Sequence, residues 1–518
     1  MSLLEERGLR VLAIAVLAAF AGCASLPSLD GRIATTASID TTSTRLGRAV
    51  APDAAAHRGR SGVHALPTSG DAFAARVLLA DAAEATLDAQ YYIWHDDATG
   101  TLMMEALWRA AGRGVRVRML VDDFDTSGLD ERLATLDAHR NIEVRLYNPF
   151  AHRGMRSLDF AADFGRVNRR MHNKSFTVDN QATIVGGRNI GDEYFGAGEG
   201  VEFTDLDVVA IGPVVREVSA AFDLYWNSAS AYPAAALLPA PSAGARTRLE
   251  NAFAATRLDP EAMTYLAVLR DSQNVRDLVA GRLPLEWTDV RVVYDDPRKT
   301  LDASDDRQLL LLASLLPAVG RPERSFDLVS PYFVPAENGT AALVALARRG
   351  VQVRILTNSL AATDVGPVHA GYAKRREALL RAGVRLYEFK PDAAPPPTDA
   401  KKGFGGSGAA SLHAKTFAID GKRIFVGSFN FDPRSARLNT EMGVVIESEA
   451  LAGKLGRVFD TRVATDAYEV RLRDDGAGLE WIDRSPAGEV RHLVEPGTTA
   501  WRRAWIRSLE LLPIDWLL

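Results

Sequence analysis

His172 and His413 stand in matching company. Each is followed by a lysine two positions on (Lys174, Lys415), an aspartate at seven (Asp179, Asp420) and an asparagine at 17 (Asn189, Asn430). Imidazoles, ammonium groups and carboxamides in duplicate suit displacement at phosphorus. One imidazole can attack as a nucleophile, dividing a hard step into two through a phosphohistidine. A second, protonated, can donate to the departing alkoxide and later take a proton from the acceptor, because its unperturbed pKa of about 6.5 lies beside working pH. The lysines and asparagines would hold the charged oxygens. Unaided phosphodiester cleavage calls for relief on the order of 10–20 kcal/mol, so several such devices must act together. Each half of the chain has one histidine of the pair, and the chemistry needs both.

Behind each motif the chain runs through Gly186-Gly187-Arg188-Asn189 or Gly427-Ser428-Phe429-Asn430. Small residues there leave room for a phosphate and let backbone N–H groups approach it. Gly187, Asn189, Ser428 and Asn430 are therefore candidate phosphate contacts. A catalytic imidazole also wants a carboxylate to fix its tautomer. Glu441 fits in the second copy. Asp205 occupies the matching place in the first, at an offset of 236, with Asp207 as the competing choice. Asp179 and Asp420 complete the catalytic motif, yet both sit at hairpin turns (Asp179-Asn180, Asp420-Gly421), where aspartate serves turn geometry. Arg166, Arg169 and Arg170 precede His172 and suit either phosphate attraction or a solvated strand end. No Walker loop, His-Glu-x-x-His or Cys-x-x-Cys pair is present, so nucleotide or zinc chemistry has no support.

The positioning elements come in two copies. Gly114–Asp123 matches Gly350–Asn358 at an offset of 236, Val144–Tyr147 matches Val384–Tyr387 at 240, and Met171–Asp179 matches Leu412–Asp420 at 241. Blocks in one order at nearly one offset mark a duplicated module. Short β-branched runs alternate with helical stretches, which predicts an α/β fold: two similar modules, each a mixed sheet flanked by helices, packed around one shared site. The expected layout is a leader over 1–23, a flexible tether over 24–68, a first module over 69–240 (motif 166–193), a linker or insert over 241–300, and a second module over 301–518 (motif 408–435). Residues 391–411, rich in proline and glycine, read as a flap at the mouth of the site.

Composition narrows the setting. The chain has 518 residues, 47% hydrophobic and 25% charged, with a net charge of −5. This is ordinary globular balance, and it lacks the basic surplus typical of nucleic-acid binding. The sole cysteine, Cys23, follows the short apolar run Val11–Gly22, which is too brief to span a bilayer and reads as a signal peptide. Phe20-Ala21-Gly22-Cys23 resembles a bacterial lipobox, making Cys23 the expected lipidation site of a protein tethered to a membrane and facing the periplasm. At the other end, Trp501 and Trp505 at helical spacing with nearby arginines fit either a membrane contact or a helix docked on the body.

The paired His-x-Lys-(x)4-Asp blocks and their trailing Gly-Gly-x-Asn and Gly-Ser-x-Asn resemble the phospholipase D superfamily, over roughly residues 70 to 518. Met171–Lys174, Gly186–Phe195, Ser330–Pro335 and Thr357–Asp364 are similar to bacterial cardiolipin synthases of the C type. The resemblance implies phosphatidyl transfer onto phosphatidylglycerol, with phosphatidylglycerol or phosphatidylethanolamine as donor. It implies no metal and no cofactor, with phospholipids and a membrane surface as partners and no nucleic acid. Hydrolysis to phosphatidic acid is the near alternative, and nuclease action the distant one. The resemblance also implies His172 as nucleophile, with exchange of roles with His413 left open. His369 is open between headgroup contact and packing. One departure from equivalence between the copies is Gly187 where the second copy has Ser428.

Overall fold

A computed structural model describes residues 25–38, 40–195, 205–301, 306–391, 412–476, 478–485 and 488–513. The leader with Cys23 and nearly all of the expected flap (392–411) lie outside the described residues.

The first sheet holds β1 (Ser61–Leu66), β2 (Thr86–Tyr91), β3 (Arg116–Asp122), β4 (Ile142–Tyr147), β5 (Ser175–Val178), β6 (Ala182–Gly186), β7 (Asp207–Ile211), β8 (Ala231–Pro233) and β9 (Glu286–Thr288), ordered 8-4-3-2-5-6-7-1-9. The second holds β10 (Val290–Tyr294), β11 (Ser325–Val329), β12 (Gln352–Asn358), β13 (Arg385–Phe389), β14 (Thr416–Ile419), β15 (Arg423–Gly427), β16 (Met442–Glu447), β17 (Ala467–Leu472), β18 (Leu479–Ser485) and β19 (Gly488–His492), ordered 10-16-15-14-11-12-13-17-18-19. Seven strands correspond one to one, β1–β7 with β10, β11–β13 and β14–β16. In each module three parallel strands adjoin the antiparallel motif hairpin. The expected α/β duplication is what the chain folds into.

Hydrophobic burial supplies the drive, at roughly 1.5–3 kcal/mol for each fully buried large side chain. One core lies under the helices Ser69–Ala82 and Ala98–Gly112 with Phe73, Met103, Leu107 and Phe176. A counterpart in the second module gathers Leu328, Ile355, Phe417 and Phe425. A third joins the modules: Val63, Val185, Val208 and Ala210 share a cluster with Ala418, Ile424, Val426 and Val444. The halves therefore meet sheet to sheet through a dry seam.

One of the expected segments is corrected: the described residues between 40 and 68, expected to be flexible tether, form a helix and a strand. Arg45–Ala56 is a helix whose first turn is capped by Thr44, which accepts from Gly47 N, and β1 pairs with both β7 and β9. The segment's Ala/Thr/Ser composition hides a strand whose stability comes from distant partners rather than local propensity. Of the linker or insert expected over 241–300, the structure has an insert. Its helices Ala245–Thr256, Pro260–Asp271 and Asn274–Val279 place Leu249, Phe253, Tyr265 and Leu278 in the first core. β9 then closes the first sheet and β10 opens the second, with Asp289 alone between them.

Candidate active site

The ends of β3 and β12 hold the two motif segments. Asp122, closing β3, accepts from Met171 N at 2.8 Å and pairs with Arg170 at 3.2 Å. Asn358, closing β12, accepts from Leu412 N at 3.0 Å and donates from its amide to Leu412 O at 3.1 Å. Thus the residue before each histidine is tied to the same place in its own sheet. The first segment also reaches across the seam: His172 N donates to Thr440 O and Thr440 N to Arg170 O, both at 2.8 Å.

That crossing decides the carboxylate partners. His172 Nδ1 lies 2.8 Å from Glu441 Oε2, and His413 Nδ1 lies 2.6 Å from Asp205 Oδ2. Within each copy, the sequence had assigned Glu441 to the second motif and Asp205 to the first. In the fold each histidine takes its carboxylate from the other module. A carboxylate partner needs an N–H on Nδ1, which leaves Nε2 as the working nitrogen. The edge of Tyr92 meets the His172 ring at 5.0 Å and that of Tyr194 meets His413 at 5.1 Å. Lys174 and Lys415 are buried, and each Nζ donates to the carbonyl of its own motif histidine, at 2.6 and 2.5 Å.

Burial and like charge act together here. Burial, then Lys174 and Lys415, drive His172 well below the ordinary histidine range. His413 is also lowered by burial and Lys415; Asp205 offsets part of this and leaves it below the ordinary range by less than His172. Asp205 is driven upward by burial, yet His413 and Lys415 outweigh this and hold it below the usual carboxylate range. Glu441 is pushed up by burial to about 7 against the pull of Lys174. Lys415 is brought down by burial to about 8, and Lys174 falls well below its usual range for the same reason. The two histidines are therefore electrostatically unlike. His172 is the more firmly neutral, and His413 has an ionised partner that favours its protonated form.

Several other sequence expectations change. Ser428 does not point its hydroxyl at a phosphate site; it donates to Glu441 and accepts from Met442 N at 3.1 Å. Gly187 makes room for a carboxylate, since a Cβ there would lie 2.1 Å from Asp205 Oδ1. Asp179 and Asp420 stand at the far end of the motif strands with positive φ (50° and 56°). Asp179 accepts from the backbone of Glu84, Ala85 and Thr86, and Asp420 from that of Glu323, Arg324 and Ser325. They pin each hairpin to the neighbouring parallel strand, at the end of the motif strand away from its histidine. Asn189 accepts from Ile93 N at 3.2 Å, while Asn430 Oδ1 is buried with no partner among the described residues. Asp207 pairs with Arg76 and Arg188, away from both imidazoles. His369 is buried against Glu495, a packing role. Arg166 bonds Asn148 and Pro149 O, Arg169 donates to Lys299 O, and Arg170 serves Asp122.

Sequence reading passed over Asp122 and Asn358, although they lie in the first matched blocks at the same 236-residue offset as Asp205 and Glu441. It also passed over Asp295, for which there was no signal. Asp295 Oδ2 accepts from Glu441 N at 2.8 Å, and its other oxygen lies 3.0 Å from Lys299 Nζ.

Comparison with known proteins agrees with this geometry. Residues 78–226 and 315–463 each match the domain described as "Cardiolipin synthase, PLD-like domain". The chain is 50% identical to cardiolipin synthase C of Escherichia coli (strain K12) over 474 residues, covering 92% of this chain and all of that one. It is 26% identical to a cardiolipin synthase of Geobacillus kaustophilus, covering 73% of this chain and 61% of the other. Its fold is shared with the crystal structure of phosphatidylserine synthase from Haemophilus influenzae Rd KW20, at a TM-score of 0.54 and 13% identity, covering 92% of this chain and 100% of that one. With two matched domains, seven corresponding strands and one paired-histidine site between them, the chain belongs to the PLD-like cardiolipin synthase family.

Proposed function

We propose that the chain is a phosphatidyltransferase that makes cardiolipin from phosphatidylglycerol, with His172 as nucleophile and His413 as acid and base. The observation that carries the roles is the crossed pairing. Glu441 holds the Nδ1 proton of a firmly neutral His172, while ionised Asp205 supports a proton on His413. In the first step His172 Nε2 bonds to the donor phosphorus and the bond to the leaving alkoxide breaks. His413 Nε2–H passes its proton to that alkoxide, releasing glycerol or ethanolamine according to the donor. In the second step the hydroxyl of an acceptor phosphatidylglycerol gives its proton to His413 and attacks phosphorus. The N–P bond to His172 breaks and cardiolipin leaves. Lys174 and Lys415 lie in the same buried site and supply positive charge for the equatorial oxygens. Placement at a membrane through lipidated Cys23 completes the reading, and loss of labelled-acyl incorporation in Cys23→Ala tests it.

Lipid mass spectrometry decides the activity. Phosphatidylglycerol vesicles, with and without phosphatidylethanolamine, are incubated with the wild type, His172→Ala and His413→Ala. Cardiolipin from the wild type alone supports the proposal, and dependence on phosphatidylethanolamine identifies the donor. Phosphatidic acid as sole product would make the chain a hydrolase.

A further inference from the structure

The site lies beyond the ends of β3 and β12, and the segment after one of them and a helix packed on the segment after the other leave apolar side chains in solvent. In the first module the chain passes from Asp122 directly to Phe124, which is 42% exposed and stacks on Tyr92 at 5.9 Å, itself the edge partner of His172. The β4–β5 connection adds Met155 at 58% and Phe164 at 43%. In the second module the chain passes from Asn358 to Leu360, which is buried with Ala370, Ile506 and Leu509. The last two belong to the helix Ala500–Glu510. Arg502 of this helix donates to Thr363 O at 3.1 Å, next to Asp364, which accepts from Tyr332 at 2.8 Å. The helix is therefore fastened to the rim of the site through one face. One helical turn apart on another face, Trp501 and Trp505 are 79% and 54% exposed.

Both modules thus present apolar side chains around one opening, and nothing in their own cores requires this. Two indole rings exposed along one face of an amphipathic helix match the boundary between headgroups and acyl chains.

We infer that Phe124, Met155 and Phe164 on one side and Trp501 and Trp505 on the other form a bilayer-docking rim that seats the opening of the site on a phospholipid surface. The inference deepens the proposed function and rests on it for the substrate, but not for the contact.

The contact is read on the full chain with vesicles of phosphatidylglycerol and phosphatidylcholine, the latter carrying brominated acyl chains that quench only tryptophans at their depth. Wild-type fluorescence should be quenched, and Trp501→Phe/Trp505→Phe should lose at least half of that quenching. The same pair as Trp501→Ala/Trp505→Ala should lower turnover of vesicle phosphatidylglycerol at least fivefold while leaving turnover of monomeric short-chain phosphatidylglycerol within twofold. Unchanged quenching in the double Phe variant overturns the inference. So does an equal loss on short-chain and vesicle substrate, which would make the tryptophans structural. If they instead form a contact between two copies, dimers seen by ultracentrifugation vanish in the variant with quenching intact, and the inference falls. Should the wild type turn over neither lipid, the proposed function fails while quenching still judges the docking rim.

Discussion

Removing the charge of Glu441 while keeping its shape tests the crossed pairing most directly. When His172 Nε2 bonds to phosphorus, the imidazole becomes cationic, and the carboxylate 2.8 Å from Nδ1 stabilises that charge. At an effective dielectric of about 20, a unit charge pair at this distance is worth about 6 kcal/mol. The amide of Glu441→Gln can still accept from Nδ1 and keeps part of this, so about 4 kcal/mol is lost, on the order of 10³-fold in rate. A phosphatidyl ester of p-nitrophenol separates the two steps, because this leaving group needs no proton from His413. In Glu441→Gln the initial release of nitrophenol should itself slow on the order of 10³-fold. In Asp205→Asn one equivalent should be released at a rate near that of the wild type. Turnover should then stall with a phosphatidyl group on His172, visible by mass spectrometry of the digested protein. The opposite assignment, a normal burst in Glu441→Gln and a lost burst in Asp205→Asn, would refute the roles derived from the cross-module contacts.

The remaining predictions use the same geometry. Activity should rise as Glu441 ionises near pH 7 and fall at higher pH as His413, Lys174 and Lys415 (the last near pH 8), all lowered by burial, lose their protons, and a rate still rising at pH 10 would contradict this. Glu441→Gln should erase the lower limb of that profile. Ser428→Ala removes a hydrogen bond that favours the Glu441 carboxylate, so the lower limb should move to higher pH, read from the kcat profile. Gly187→Ser places a Cβ against Asp205 and should cost on the order of 10² in the deacylation-like second step with secondary structure by circular dichroism unchanged. Asp179→Ala leaves three backbone N–H groups without their acceptor and should lower stability by roughly 2–4 kcal/mol in denaturant titrations. Activity per folded molecule should stay near that of the wild type; a selective kcat loss would return Asp179 to the chemistry.

What could be read in the sequence was whatever the duplication repeats. His172, Lys174, His413 and Lys415 come together, and the hairpins Asp179-Asn180 and Asp420-Gly421 form with both central residues of each turn at positive φ, as the residues suggested. Asp205 and Glu441 were recognisable as orienting carboxylates through their shared offset. Their partners were not, because an offset compares one copy with another and says nothing of the seam where the copies meet. The same limit hid β1, a strand held by β7 and β9 rather than by its own composition. It also hid Asp295, whose position in the duplicated pattern gives no clue that it supports Glu441. Ser428 and Gly187 were noticed for size, correctly, but the space they govern belongs to carboxylates instead of phosphate.

The inequality of the two carboxylates follows from those small residues. Asp205 is one methylene shorter than Glu441 and lies against Gly187, where any larger side chain would displace it. It has His413 and Lys415 as its main charged neighbours and stays ionised. Glu441 lies deeper, with Ser428 and the backbone contact to Asp295 in place of a second strong cation contact, and its pKa rises to about 7. A duplicated module would by itself create two equivalent histidines, which compete for one role. Substituting Gly187 for the equivalent of Ser428, and Asp for Glu, separates their affinities for a proton while leaving the backbone frame common to both. Because each carboxylate comes from the opposite module, this separation exists only when the seam of Val185, Val208, Val426 and Val444 is closed. Either half expressed alone would have a histidine without its partner, so mixing separately purified halves should restore activity only in proportion to the complex they form.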